Sequence, residues 1–383
     1  MTTQHEQQPT PTGRRTGGPS GRAFVGRHRL VTLLIALILG TAATAVGAGI
    51  GIRYLQKTGL SLASVTGLVL LAVGLLTLGY AAWVAWKVLP GWWRLVLLPA
   101  GVAALLVIFS LTLAVIFTVV PPTELGAGTP ADEELEYRDV TFETADGAQL
   151  SGWLVPSSNG AALVVRHGSG STRTATLDQA GVLGREGYGL LIVDARGHGL
   201  SEGRGMDLGW YGDQDIVAAV DFLTEQPGVD PDGIGVLGLS MGGEEAVGAA
   251  AADARIKAVV AEGVTGRTAA DRDKWLPGGA AGTLQRALDS LTFAVTDLLT
   301  PVAPPTALHD AVAGSDADFL LITAGQVPDE ARAAAVLEAA APSRVQVLDV
   351  PEATHTDGLD VAPEVWTREV LTFLEARLQP AGS

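Results

Sequence analysis

The amino-acid sequence predicts an α/β fold: a doubly wound, mostly parallel sheet with a lid insertion, preceded by three transmembrane helices. Three observations predict it. Long uncharged apolar runs fill most of the first third of the chain. Short apolar runs then alternate with helical patterns, which indicates parallel strands separated by helices. One of these short runs ends at a serine set among glycines, in residues 233–250, GIGVLGLSMGGEEAVGAA.

Composition divides the chain into two unlike parts. Residues 1–120 carry nine Lys or Arg against one acidic residue, whereas residues 121–383 carry sixteen against forty. The acidic second part argues against binding nucleic acid or anionic lipid over a broad surface. The sequence has no cysteine, which excludes disulfides, thiolate metal sites and cysteine nucleophiles.

The apolar runs predict a membrane domain over residues 30–120, behind a disordered basic tail at 1–29 that lacks the large apolar side chains needed for a core. Each run exceeds the roughly 20 residues that cross a bilayer. The runs cover residues 30–52, 60–86 and 95–120. A cleaved signal peptide does not explain the first run, which is long, lies behind the tail and is followed by two more. No run holds an ionisable side chain, which argues against a transporter whose spans do the work.

The placement of basic residues predicts the orientation of these spans. The tail holds five arginines and the loop between the second and third runs holds Lys87 and Arg94, while Arg53 and Lys57 follow the first run. The segment after the third run has no basic residue. The positive-inside rule therefore predicts a cytoplasmic amino terminus and an extracytoplasmic second part of this multi-pass protein.

The second part predicts a linker at 121–136 and an α/β domain at 137–378. Its apolar runs are rich in Val, Leu and Ile, as in strands buried on both faces. An Asp146-Gly147 turn predicts a hairpin between the first two strands. The predicted strands are 137–143, 149–155, 161–165, 189–193, 234–239, 256–261, 319–323 and 345–350. The predicted helices are 176–186, 213–226, 241–252, 329–341 and 363–378. Residues of about 263–316 break this alternation and are interpreted as a lid over the carboxyl edge of the sheet.

The serine among glycines carries a family resemblance. Gly238-Leu239-Ser240-Met241-Gly242 resembles the G-x-S-x-G nucleophile elbow of the α/β-hydrolase family. The turn from strand to helix is so tight that side chains two residues before and after the serine would clash, and glycines remove that clash. The resemblance implies that Ser240 is a nucleophile exposed at the top of the sheet.

A serine hydroxyl needs a base, and the resemblance implies which histidine supplies it. In this family the catalytic residues follow in the order serine, acid, histidine. Of the six histidines, only His355 lies after the last predicted strand. The acid is expected beyond the strand at 319–323, where Asp329 is favoured over Glu330. Glu262, at the end of the preceding strand, is a third and more distant candidate.

Other segments also resemble family motifs. The oxyanion hole is expected from the backbone N–H groups of Met241 and of Ser169, which follows a His167-Gly168 pair. His167 itself is interpreted as a structural hydrogen-bonding residue. The segment DARGHGLSEG at 194–203 resembles an architectural motif, in which Asp194 and Arg196 tie loops together and His198 lines or supports the mouth of the pocket.

The resemblance covers about 136–378 and is nearest to bacterial dienelactone-hydrolase-like serine hydrolases. It implies a membrane-anchored serine hydrolase that cleaves a carboxylic ester, a thioester or a lipid ester and needs no metal or organic cofactor. The expected partner is a small-molecule or lipid ester, with no nucleic acid. Two alternatives stay open: an acyltransferase using the same three residues, and a non-catalytic membrane protein with a hydrolase-like binding domain.

Overall fold

The computed structural model describes the backbone of residues 21–378 and the side chains of residues 31–378. The first part is built from three long apolar helices and one short one. These helices are α1 (Gly21–Gly47), α2 (Arg53–Thr58), α3 (Leu62–Val88) and α4 (Leu97–Thr118), with a π-helical segment at Ala48–Ile52 joining α1 to α2. Because α1 begins at Gly21, residues 21–29 of the predicted disordered tail are helical, as an extension of a helix that is already nucleated. Residues 1–20 of that tail lie outside the described residues.

Three segments are long and apolar enough to cross a membrane. They are Val31–Thr58, Leu62–Val88 and Gly91–Thr118, with mean hydropathies of 2.2, 2.2 and 2.7. They coincide with the three apolar runs of the sequence. Their length and composition are compatible with membrane anchoring.

The first and second of these segments pack closely through glycines. A methyl group on Gly47 would lie 2.6 Å from the Cα of Leu71, and one on Gly51 would lie 2.6 Å from the backbone nitrogen of Leu68. On the facing helix, a methyl group on Gly67 would lie 2.5 Å from the Cα of Gly51. Such separations leave no room for a side chain, so these glycines allow the two helices to approach closely.

The second part is an eight-stranded, mostly parallel sheet in the order β1-β2-β4-β3-β5-β6-β7-β8. Only the β1–β2 and β2–β4 pairs are antiparallel, and β1 and β2 form the predicted hairpin. The strands are β1 (Arg138–Glu143), β2 (Gln149–Val155), β3 (Ala162–Arg166), β4 (Gly189–Val193), β5 (Ile234–Leu239), β6 (Ile256–Glu262), β7 (Asp318–Ala324) and β8 (Val345–Val350).

Helices cover both faces of this sheet, and each face has its own apolar core. Residues that alternate along a strand enter opposite cores. Val164 belongs to the core that contains residues of α6, α7, α10 and α11, whereas Leu163 and Val165 belong to the core that contains residues of α5 and α13. The helices are α5 (Leu177–Arg185), α6 (Gly212–Thr224), α7 (Met241–Ala252), α8 (Ala269–Trp275), α9 (Gly279–Leu299), α10 (Leu308–Gly314), α11 (Pro328–Ala340), α12 (Gly358–Val361) and α13 (Pro363–Leu378).

The segment predicted as a lid, between β6 and β7, holds α8, α9 and α10. Helix α9 packs along the apolar helix α4: Ser110 Oγ donates to the carbonyl of Leu288 at 3.2 Å, and Thr292 Oγ1 donates to the carbonyl of Ser110 at 3.4 Å. The linker adds a second contact, because the carbonyl of Thr123 accepts the N–H of Gly199 at 2.8 Å. The inserted segment therefore joins the sheet domain to the apolar helices, and its role as a lid stays a prediction.

Candidate active site

Ser240 lies at the turn between β5 and α7, in a backbone conformation that few residues adopt. Its φ is 54° and its ψ is −122°. Such a conformation costs on the order of 1–3 kcal/mol and persists only where the surroundings enforce it. Here a methyl group on Gly238 would collide with the backbone of Gly242, and one on Gly242 would lie 2.6 Å from the carbonyl oxygen of His167. The two glycines are thus required sterically, as the sequence predicts.

The histidine expected as base lies against this serine. His355 follows β8, and its Nε2 lies 2.7 Å from Ser240 Oγ, within hydrogen-bond distance. The imidazole is about half exposed, and it packs so closely on Gly263 that a methyl group there would lie 2.8 Å from its Cε1. The contact joins residues 115 positions apart in the sequence.

The acid beside His355 is Glu330. Its Oε1 lies 2.6 Å from His355 Nδ1, while its Oε2 accepts the N–H of Ala324 at 2.8 Å. The Glu330 side chain is fully buried at the first turn of α11. One carboxylate oxygen is held by a backbone N–H and the other faces the imidazole, so Glu330 has little freedom and can hold the ring in one orientation.

The prediction that Asp329 is the acid beside His355 is therefore wrong, because the Asp329 carboxylate does not contact the imidazole. The Asp329 carboxylate is 48% exposed and pairs with Arg332 at 2.6 Å on the outer face of α11. The reason is helical periodicity, because one residue along a helix turns a side chain by about 100°. Glu330 thereby faces the sheet and Asp329 faces solvent.

Glu262, the third candidate acid, supports the segment that follows His355. Its carboxylate accepts the N–H of Gly358 at 2.8 Å and the indole N–H of Trp366 at 3.0 Å. Burial raises the pKa of this carboxyl, since the charged form loses its hydration. The structure thus places Glu262 behind the histidine segment and not against the imidazole.

The electrostatics of His355 suit a base held by a carboxylate. The hydrogen bond to Glu330 raises the pKa of the imidazole above its ordinary value of 6.5, against the opposing effect of burial. The negative charges of Glu244 and Glu262 raise it further. The carboxylates therefore favour the imidazolium that would form when the serine gives up its proton.

The two backbone N–H groups expected to form an oxyanion hole belong to the residue after Ser240 and to a loop that passes close to it. The N–H of Met241 belongs to the first residue of α7, where helical amides have no acceptor within the helix. The second predicted amide, that of Ser169, is on the loop after β3. This loop crosses the serine closely, because a methyl group on Gly168 would lie 3.0 Å from Ser240 Cβ.

Two buried histidines support that loop. His167 Nε2 accepts the N–H of Ala195 at 2.9 Å, and its Nδ1 lies 2.8 Å from the carbonyl of Gly168. Burial holds the pKa of His167 well below its ordinary value, so the ring is neutral. His198 Nε2 accepts the N–H of Gly170 at 3.3 Å. Both rings therefore position the loop, in agreement with their predicted supporting roles.

Charged side chains beneath the site form a buried network. Arg196 donates to Asp215 at 2.8 Å and to Asp146 at 2.8 Å, which ties the loop after β4 to α6 and to the hairpin turn. Arg166, at the end of β3, donates twice to Glu245 on α7, at 2.9 and 2.6 Å. Burial raises the pKa of Glu245 to about 7.

Arg166 and Glu245 belong to none of the motifs that the sequence shows. The available signal was an arginine ending an apolar strand, since a buried cation requires a partner. The sequence does not show which residue pairs with Arg166, because β3 and α7 come together only in the folded chain.

Comparison with known proteins agrees with this fold and elbow. Residues 157–313 match the family model described as serine aminopeptidase, S33. A thiohydrolase from Aspergillus aculeatus is 38% identical over 136 residues, which are 34% of this chain and 43% of that protein. A polyketide transferase from Stachybotrys chlorohalonatus is 40% identical over 128 residues, 32% of this chain and 43% of that protein. The chain thus spans less than half of these curated relatives.

A solved structure extends the similarity over the whole sheet. An esterase from Pyrococcus furiosus superimposes with a TM-score of 0.55 at 26% sequence identity, covering 68% of this chain and 98% of the esterase. Together with the strand order and the strained serine after β5, this similarity shows that the second part of the chain has the α/β-hydrolase fold. The matched family segment includes Ser240 but ends before Glu330 and His355. The contacts of Glu330 and His355 are therefore seen in the structure and do not follow from the family match.

Proposed function

We propose that this protein is a serine hydrolase that cleaves a carboxylic ester through an acyl-enzyme on Ser240. The observation that carries the proposal is the continuous contact from Ser240 Oγ to His355 Nε2 and from His355 Nδ1 to Glu330 Oε1, at 2.7 and 2.6 Å. A nucleophile, a base and an orienting acid in that arrangement define acyl-transfer chemistry on unrelated folds.

In the proposed reaction, Ser240 Oγ attacks the carbonyl carbon of the ester while His355 Nε2 takes the hydroxyl proton. The negative charge moves to the carbonyl oxygen, which the N–H groups of Met241 and Ser169 stabilise. The imidazolium then gives its proton to the leaving alcohol or thiol as the bond to the acyl carbon breaks. A water molecule, deprotonated by the same imidazole, releases the acid and restores the serine.

The bond type and the location are parts of the same proposal. An esterase and a thiohydrolase among the similar proteins support a carboxylic ester or thioester as substrate. The three apolar segments support a membrane-anchored enzyme, and a lipid ester is a fitting substrate beside a membrane. The excess of basic residues on the amino-terminal side supports an extracytoplasmic hydrolase domain.

The test is covalent labelling of the full-length protein with a fluorophosphonate probe, which reacts with activated serines. We expect labelling of the wild type, none of Ser240→Ala, and a reduction of roughly 100-fold or more in the labelling rate of His355→Ala. Ser158→Ala is a matched control, because this serine is exposed on the loop before β3, at the opposite edge of the sheet from Ser240. A folded wild type that does not label would overturn the proposal and favour the non-catalytic binding protein.

Acyl transfer to an alcohol is a second candidate, favoured by the similarity to a polyketide transferase. It uses the same acyl-enzyme and replaces water by an alcohol in the second step. Product analysis with an added alcohol separates the two. A transferase forms the new ester in large excess over the free acid at millimolar alcohol, whereas a hydrolase forms chiefly the acid.

A further inference from the structure

Helix α2, at the end of the first apolar segment, carries two cations on the side of the loop that follows β3. Arg53 begins α2, just beyond the first apolar helix, and its Nη2 lies 4.0 Å from where a methyl group on Gly170 would be. Gly170 belongs to the loop that carries the proposed oxyanion amide of Ser169. Gly168 of that loop contacts Ser240. Because neighbouring Cα atoms are about 3.8 Å apart, these contacts together place the cation within roughly 18 Å of the Ser240 hydroxyl.

Lys57 lies four residues after Arg53 on α2, so the two side chains project from the same face of the helix. Burial is the main cause of the lowered pKa of His198, and the positive charges of Arg166, Lys57 and Arg53 lower it further. His198 holds the N–H of Gly170, so both cations act on the oxyanion loop from the side of the apolar helices. A positive potential at this position attracts an anion.

Within the described part of the chain, neither cation has a carboxylate partner. Arg53 Nη1 donates to the carbonyl of Ile116 at 3.2 Å, which fixes the guanidinium while leaving its charge uncompensated. By contrast, most arginines of the hydrolase domain pair with an Asp or Glu, as Arg166 does with Glu245. In a chain with a net charge of −16, two unpaired cations beside a reaction centre are unusual and point to an anionic ligand.

An apolar side chain accompanies these cations. Leu200, on the loop of His198, is 64% exposed. An anionic group joined to an apolar chain would find complementary partners here.

We propose that Arg53 and Lys57 form a specificity site for an ester that carries an anionic group, such as a carboxylate, at the end of an apolar acyl or alcohol part. This inference rests on the proposed ester hydrolysis at Ser240 and names its substrate class. Arg53 supplies a fixed, planar donor set and Lys57 a mobile charge, so an anionic substrate binds with its carbonyl carbon at the serine.

The experiment compares esters of similar size that differ in charge, using the full-length protein in detergent. One pair varies the acyl part: 4-nitrophenyl hexanoate and mono-4-nitrophenyl adipate. The other varies the leaving group: phenyl butyrate and 4-butyryloxybenzoate. For each pair, the ratio of kcat/KM for the anionic ester to kcat/KM for the neutral ester is measured in every variant, so intrinsic reactivity cancels between variants.

In the double variant Arg53→Gln, Lys57→Gln we expect this ratio to fall about tenfold for at least one pair, because a charge-assisted contact at a half-exposed site is lost. The pair that responds shows which part of the substrate carries the charge. The matched control is Lys87→Gln, Arg94→Gln, which removes the same charge at the loop between α3 and α4 and should leave the ratio unchanged. In the wild type the ratio should also fall with added salt, since charges separated by about 10 Å are largely screened at 0.1 M.

The outcomes separate this inference from the proposed function. If fluorophosphonate labels Ser240 but the ratio is the same in the wild type, the double variant and high salt, the hydrolase stands and the specificity site is wrong. A parallel loss of both esters in the double variant also contradicts it, and assigns Arg53 and Lys57 to anchoring the helices. If the wild type is not labelled by the probe and hydrolyses none of the esters, both the proposed function and the specificity site are wrong.

Discussion

At the scale of single residues, one helical position decides which carboxylate meets His355. Glu330 and Asp329 are neighbours, have the same charge and begin the same helix. Only Glu330 is buried and in contact with the imidazole, whereas Asp329 pairs with Arg332 on the surface. Substitutions at Asp329 and Glu330 therefore compare two carboxylates of similar type that differ chiefly in position.

We therefore expect Glu330→Gln to lower kcat roughly 100- to 10,000-fold, because an amide stabilises the imidazolium poorly and favours the wrong tautomer. Asp329→Asn should change kcat by less than about twofold, since an exposed ion pair contributes little. Initial rates with a neutral ester measure both, with thermal unfolding as the control for folding. Equal losses in the two variants would contradict the assignment of Glu330.

The pKa of His355 sets the acid side of the pH profile. The imidazole must be neutral to accept the serine proton, and Glu330 raises its pKa above 6.5. A raised pKa keeps the proton on at higher pH, so kcat/KM should fall with decreasing pH around a midpoint above 6.5. In Glu330→Gln the midpoint of the residual activity should move to lower pH. A wild-type midpoint below 6.5, or one unmoved by that substitution, would contradict this account.

At the scale of elements, the turn between β5 and α7 depends on two glycines for its shape. The strained backbone of Ser240 exists because β5 and α7 are each fixed by burial in the sheet domain and the turn must join them within one residue. The loop after β3 then closes over the serine, supported by His167 and His198. The reacting groups thus lie on turns whose positions are set by packed elements.

Gly238→Ala should destabilise this turn. The added methyl collides with the backbone of Gly242, and forced overpacking lowers the free energy of unfolding by about 1–3 kcal/mol. Fluorophosphonate labelling should fall with it, because the serine loses its position. Gly314→Ala, at the end of α10, is the control, since a methyl group there meets no atom within 4 Å. Thermal unfolding and labelling rates measure both variants, and a fully active Gly238→Ala protein would refute the steric argument.

At the scale of the whole molecule, the apolar helices and the hydrolase domain share an interface. Helix α9 packs on α4, and Arg53 lies near Gly170 on the loop after β3. The ends of α2 and α4 meet at this interface, where Tyr54 donates to the carbonyl of Val120 at 3.1 Å. The candidate active site is therefore close to the side of the domain from which the chain enters the apolar helices.

The predicted orientation can be tested by cysteine labelling, which is simple because the sequence has no cysteine. We expect Ser158→Cys, on an exposed loop of the hydrolase domain, to react with a membrane-impermeant maleimide in intact cells. Ser20→Cys, in the amino-terminal tail, should react only after the membrane is permeabilised. The reverse pattern would place the hydrolase domain in the cytoplasm.

The sequence by itself determined the three apolar helices, the alternating strands and helices, the elbow at Ser240 and the histidine after the last strand. These follow from local rules: the length of apolar runs, the periodicity of burial, and the steric need for glycines at a tight turn. The tertiary structure determined which side chains contact each other, because such contacts depend on direction and distance. It selected Glu330 over Asp329, because a side chain's direction depends on how the helix lies on the sheet. It paired Arg166 with Glu245 and brought Arg53 to Gly170, because electrostatic contacts between residues far apart in sequence exist only once the backbone has folded.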